Sequence, residues 1–231
     1  MTGSIEWLVD QQIRRWQEER RIVERQNRLG AALQRPMITI SRQFASRGAE
    51  IGQAVAERLG FHFYSQELIH RVAAEAHVRA SVVATLDERA QSGIAHWITS
   101  MMQRGRFASS DYLRNLSRVV MTLGRHGQGV IMGRGGQFIL DPERTLRVRV
   151  IAPLETRAER VAQRERLTLD QARTRCVSVD AERETFHRQS FGEDITKPAH
   201  YDLVLNSGVL PVESCIGLLV SAFQTRFPSD S

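Results

Sequence analysis

A chain of 231 residues with 42% hydrophobic content has room for one α/β domain with an insertion or an appendage. No stretch has the length and apolarity of a membrane span or a signal-peptide core, so a cytoplasmic location without membrane partners is expected. The formal net charge is +6 and Lys197 is the only lysine, so the positive charge is arginine, which grips phosphate bidentately. That suits nucleic acid or small phosphorylated ligands, and charge alone does not choose between them. The two cysteines, Cys176 and Cys215, lack metal-type spacing and read as buried reduced thiols.

Residues 4–34 are expected to form one helix, capped by Ser4. Ile5, Val9, Ile13, Trp16 and Val23 mark a narrow apolar stripe, and arginines interleaved with Glu18, Glu19 and Glu24 fill the other faces. Mixed charge favours packing on its own domain or on a second copy of the chain over nucleic-acid or membrane binding. A homodimer through this helix is one expectation.

Ile38 and Ile40 flank Thr39 in a short run that reads as a buried strand. The turn Ala45-Ser46-Arg47-Gly48 follows, and then Ile51, Val55 and Leu59 recur at helical spacing up to Gly60. Strand, tight loop and helix is the layout in which backbone N–H groups and a helix N-terminus face an anion. Against the pattern G-x-x-x-x-G-K-[ST] only Gly48 fits; Gln43, Ala49 and Glu50 occupy the first-glycine, lysine and hydroxyl positions.

Phe61–Tyr64 is a second strand, and Ser65 is placed to cap a helix from Gln66. Ser81 is expected to cap a further helix through Val82, Val83 and Leu86, and residues 94–127 read as helical around a polar break at Gly105–Asp111. Gly129–Met132 is a third strand that runs into Gly133-Arg134-Gly135-Gly136, at the sheet edge where open parallel sheets bind ligands. In the fourth strand, Thr145–Ala152, Arg147 and Arg149 alternate with Leu146, Val148 and Val150. Two arginines conflict with a strand covered on both faces, and the residues alone give no account of them.

A basic helical segment follows with Arg157, Arg160, Arg164 and Arg166, and then a helix over Leu169–Val179 with Thr168 as its cap. Beyond it lie Asp180, Glu182, Arg183, His187 and Arg188. Arginine-rich helices overhanging a sheet's carboxyl edge suit a lid over phosphates; a solvated face of i,i+4 pairs is the alternative. Tyr201–Ser207 is a fifth strand and Pro211–Phe223 the closing helix. The order implies a three-layer α/β fold with a mainly parallel five-stranded sheet. Its expected organisation is an N-terminal helix over 1–35, a main domain over 36–225 and a tail over 226–231. Within the main domain, 65–127 is a helical insert and 155–198 the lid region.

The ordered segments ITISRQFASRGAEIG, LGFHFYSQELI, VIMGRGG, RVIAPLETRAER, VDAER and HYDLVLNSG resemble the cytidylate kinase-like family, a branch of the P-loop nucleoside monophosphate kinases, from about Ile38 to about Phe223. The resemblance implies a P-loop NTPase fold. It also implies transfer of the ATP γ-phosphoryl, with Mg2+, to a pyrimidine nucleoside monophosphate. Carried over by motif, Arg42, Ser46, Arg47, Gly48, Ala49 and Glu50 would cradle the donor phosphates. Arg47, Arg157, Arg160 and Arg183 would act in catalysis, and Arg134, Asp180 and Arg188 would bind the acceptor; no protein ligand to a metal is implied. The family's loop usually reads Ser-Arg-Glu-Tyr-Gly-Ser-Gly-Gly-Arg-Glu-Ile-Gly. Here Ala45 and Arg47 replace glycines, Ala49 replaces the arginine, and Met132 replaces an aspartate before Gly-Arg. These departures support a second reading, a nucleotide-binding sensor or scaffold without turnover. Nucleic-acid binding ranks third.

Overall fold

The computed structural model describes residues 5–26 and 35–228. In chain order its elements are α1 (Ile5–Gln26), β1 (Met37–Arg42), α2 (Gly48–Leu59), β2 (His62–Tyr64), α3 (Gln66–Ala74), α4 (Ala76–Val83), α5 (Glu88–Gln103), α6 (Asp111–His126), β3 (Gly129–Met132), α7 (Gly136–Ile139), β4 (Thr145–Ile151), α8 (Leu154–Glu165), α9 (Leu169–Phe191), β5 (Leu203–Asn206) and α10 (Val212–Arg226). Two compact units result: α1 with residues 66–127, and residues 36–65 with residues 128–228.

The first unit is helical. Val9 and Trp16 of the α1 stripe are buried, and the Trp16 ring stacks on His126 with centroids 3.9 Å apart and planes 4° from parallel. Val9 and Trp16 are thus used inside this unit, where α1 meets α3, α4 and α6. The expected Ser4 cap and residues 27–34 of that helix lie outside the described residues. Ser81 does not start a helix. It sits inside α4, where its hydroxyl donates to the His77 carbonyl at 3.0 Å, the back-bonding open to a serine in mid-helix. The cap is Asp87, whose carboxylate accepts the Ala90 N–H at 2.8 Å and opens α5. The polar break separates α5 from α6, which Ser110 caps by accepting from the Leu113 N–H at 3.2 Å. Leu113, Leu116, Val119, Val120 and Leu123 form the buried face of α6.

The second unit is an α/β domain around a five-stranded sheet of order β2-β3-β1-β4-β5, every pair parallel. β1 is central, with Ile38 paired to Val130 on one side and Leu146 on the other. Ile38, Ile40, Val148 and Val150 face a core closed by Ile51 and Val55 of α2 and by Leu219 and Phe223 of α10. The opposite face of the central strands carries Thr39, Ser41, Arg147 and Arg149, and α7 lies against Thr39.

This accounts for the two arginines of β4. Arg147 pairs with Asp202 at 2.7 Å. Arg149 is buried, its Nη1 donating to Ser41 Oγ at 3.0 Å and its guanidinium 5.6 Å from the Tyr201 ring centroid. α9 is longer than its expected end at Val179. A reciprocal box between Thr168 and Gln171 starts it, no glycine or proline interrupts it, and Gly192 ends it in a left-handed conformation. Cys176 and Cys215 are buried free thiols. No helix among the described residues is long and apolar enough to cross a membrane.

Candidate functional site

All strands being parallel, the segments after β1, β3, β4 and β5 meet at one edge. The segment after β1 is the phosphate-type loop. Ala45 and Arg47 both adopt left-handed backbone, φ 58° each, at the two positions where the resembling loops carry glycine. That conformation costs a non-glycine residue about 1–2 kcal/mol, so surrounding bonds must hold it. The Ser46 hydroxyl donates to the Gln43 carbonyl at 2.8 Å, and Ser207 Oγ donates to the Ser46 carbonyl at 2.6 Å. Gln43 is itself tied down, its N–H donating to the Val150 carbonyl and its Oε1 accepting the Ala152 N–H, both at 3.0 Å. Gly48 is required by space, because a Cβ there would lie 2.7 Å from Arg42 Cβ. α2 begins at Gly48 with no side chain capping it, so its first amides are left for an anion. Arg47 and Glu50 are exposed at this rim and bonded to each other, Nε–Oε2 and Nη2–Oε1 both 2.7 Å. Ala49 is exposed and brings no cation.

α8 and α9 brace the loop. Buried Arg157 donates to the Ala152 carbonyl at 2.9 Å, to the Phe44 carbonyl at 3.2 Å and to Asp180 Oδ2 at 2.6 Å. Asp180 Oδ1 accepts the Phe44 N–H at 2.7 Å, so one carboxylate holds both loop and arginine. Arg160 donates to the carbonyls of Ala45, at 3.2 Å, and Ser207, at 2.9 Å. The Phe44 ring is faced by the guanidinium groups of Arg164, Arg175 and Arg183.

Beside this brace lies a concentration of positive charge. Arg183 donates to the Arg42 carbonyl at 3.0 Å and lies 3.8 Å from Asp180. Burial, with Arg183 and Arg134 nearby, brings the Arg42 guanidinium down to about 9. Burial likewise lowers Arg183, against the opposing pull of Asp180. Arg134 sits in left-handed backbone, φ 54°, in the turn after β3; its guanidinium is 5.7 Å from the Phe186 ring centroid, and its Nε is buried without a hydrogen-bond partner. His187 Nδ1 donates to the Arg183 carbonyl at 2.7 Å, while its Nε2 is buried and unpartnered. Burial first, and then Arg149, Arg42 and Arg134, hold this imidazole down at about 4, against the pull of the carbonyl bond. A further positive charge is unfavourable here, and by the same field a bound anion is favoured.

The structure therefore brings Arg42, Ser46, Gly48, Arg157, Arg160, Asp180 and Arg183 to one edge, with Arg134 in the neighbouring turn. Arg47 and Glu50 stand on the exposed rim. Arg188 is exposed, and its charge acts on Asp194. Sequence reasoning missed Arg149, His187 and Ser207 as members of this region. The signal for Arg149 was an arginine recurring in a strand otherwise fit for burial. Mg2+ takes oxygen ligands, commonly one or two carboxylates together with substrate phosphates. Both oxygens of Asp180 are engaged, by Phe44 and Arg157, and both oxygens of Glu50 by the Arg47 fork; Glu50 is the more exposed of the two, so it is the carboxylate that such an ion would reach on displacing Arg47. In the helical unit, Glu6, Glu75 and His77 bring three ligand-type atoms within 4.8 Å of one another, at a surface where His77 and Arg71 already pair with the two carboxylates.

The model of the cytidylate kinase-like family matches residues 37–209. A cytidylate kinase of Ignicoccus hospitalis is 24% identical over 182 residues, 78% of this chain and 94% of that one. A uronate isomerase of Corynebacterium glutamicum is 31% identical over 122 residues, 52% of this chain but only 23% of the relative's length. Among solved structures, an uncharacterized protein from Eubacterium ventriosum superposes with a TM-score of 0.58 at 19% identity, covering 83% of this chain and 99% of that one, a likeness of fold.

Proposed function

We propose, from the premise that this chain belongs to the cytidylate kinase-like family, that it transfers the γ-phosphoryl of ATP to a pyrimidine nucleoside monophosphate in the cytoplasm. The donor's phosphates lie on the loop from Ser46 to Glu50 and the open amides of α2. The acceptor's phosphate lies among Arg42, Arg134 and Arg183, with Arg149 beneath. The single observation that carries this is the arginine cluster beside the loop, with Asp180 as the carboxylate bonded into it and a buried Arg134 Nε lacking a partner.

An acceptor phosphate oxygen is already anionic, so attack on the γ-phosphorus needs no side chain to remove a proton. What the protein supplies is alignment and charge compensation. Arg157 and Arg160 hold the loop's carbonyls and so fix where its amides point. Arg183 and Arg134 compensate charge spreading over the transferred group. Mg2+, when bound, would neutralise the donor phosphates, and Glu50 is the carboxylate that would hold it once Arg47 is drawn to those phosphates.

A specific observation favours the second reading: Ala49 stands at the position of the loop cation and offers none. ADP release measured with ATP, Mg2+ and each nucleoside monophosphate in turn separates the two. Stimulation by a pyrimidine monophosphate, lost on the order of a hundredfold in Arg134→Ala, supports the kinase. ATP-dependent thermal stabilisation with no stimulation by any monophosphate selects the binding module instead.

A further inference from the structure

At the mouth of the phosphate loop a cation and a carboxylate neutralise each other. Arg47 and Glu50 form a two-bond fork at 2.7 Å, with side chains 45% and 52% exposed. Counted along the loop pattern, Glu50 occupies the place of the hydroxyl that faces Mg2+ in P-loop proteins, and Ala49 the place of the lysine that faces the phosphates. The loop thus carries one cation and one metal-type oxygen ligand, but at shifted positions and bonded together. Arg47 is near enough to Arg160, which bonds the Ala45 carbonyl, for its charge to lower that guanidinium second only to burial.

We propose that the Arg47–Glu50 pair is a latch that a metal-bound nucleotide opens by exchange. The donor phosphates take the Arg47 guanidinium, and the released Glu50 carboxylate turns to the Mg2+ carried by the nucleotide, directly or through one of its waters. This rests on the reading of the loop as the donor site. A metal-free nucleotide gains less, because taking Arg47 leaves a bare carboxylate in the first turn of α2 facing the nucleotide's own negative charge. The latch therefore selects metal-bound over metal-free nucleotide. An exposed ion pair is weak, so it opens at little cost.

The test is calorimetric titration of the full chain with ATP, once in Mg2+ and once in a chelator, for the unaltered protein, Glu50→Gln and Arg47→Gln. Both residues are exposed, and melting curves verify that the variants are folded. The unaltered chain is expected to bind the Mg2+ form more tightly. In Glu50→Gln the ratio of the two affinities narrows by about fivefold, with metal-free ATP bound more tightly than before. In Arg47→Gln both forms weaken. Tight Mg2+–ATP binding with an unchanged ratio in Glu50→Gln overturns the latch and leaves the donor site standing. Failure of the unaltered chain to bind either form overturns the donor site and the latch with it.

Discussion

His187 should give this fold a sharp loss of stability on mild acidification. It is 6% exposed and its ring packs among Phe138, Phe186 and Phe191. The Nδ1 bond to the Arg183 carbonyl leaves Nε2 as the position a proton must enter, and Nε2 is buried without a partner. Arg149, Arg42 and Arg134 all oppose that proton, and the imidazole is held down from 6.5 to about 4. The folded value lies below the unfolded one, so between them the unfolded chain binds a proton that the folded chain refuses. The stabilisation is complete above about pH 6.5 and is lost progressively as the pH falls toward 4. The gap corresponds to roughly 3 kcal/mol, a sizeable part of a domain's stability. Urea unfolding of the full chain at a series of pH values, beside His187→Phe, isolates the effect, since phenylalanine has no proton to take. The unaltered chain should lose about 3 kcal/mol more than the variant between pH 7 and pH 4. Parallel curves for the two proteins would refute the reasoning.

Three further outcomes are expected. Asp180→Asn should cost about 3–5 kcal/mol in urea unfolding, because it leaves buried Arg157 without its counter-charge and leaves one accepting oxygen where Arg157 and the Phe44 N–H use two; a loss under about 1 kcal/mol would deny the brace. Gly135→Ala should destabilise by at least about 3 kcal/mol, since a Cβ there meets the Phe191 ring at positive φ; Gly192→Ala, at a similar φ with open space around it, should cost only about 1 kcal/mol, and equal losses would contradict this. Ala45→Gly should stabilise by about 1 kcal/mol by relieving left-handed backbone; a lower melting temperature would show that the loop is not strained there.

Much of the α/β unit is legible in the sequence because its signals are local. Ile38 and Ile40 announce the central strand, Gly48 the tight entry to α2, and Gly133-Arg134-Gly135-Gly136 the turn at the ligand edge. What was not legible depends on partners far along the chain. Arg157 reads as a lid arginine by spacing. It becomes a brace only because Phe44 and Asp180, 113 and 23 residues away, meet it. Arg149 reads as a contradiction in a buried strand until Ser41 and Tyr201, 108 and 52 residues away, supply its oxygen partners. Ser81 reads as a cap for a local reason: a serine within a helix can bond back to its own turn, and spacing cannot tell that from a cap.

The measurement that bears most directly on the central claim is the fate of a radioactive γ-phosphate of ATP in the presence of Mg2+ and each pyrimidine monophosphate. Label is expected in the nucleoside diphosphate formed from the acceptor, and Arg134→Ala is expected largely to abolish it. Label that stays in ATP, or appears only as inorganic phosphate, would contradict transfer between the loop and the arginine cluster.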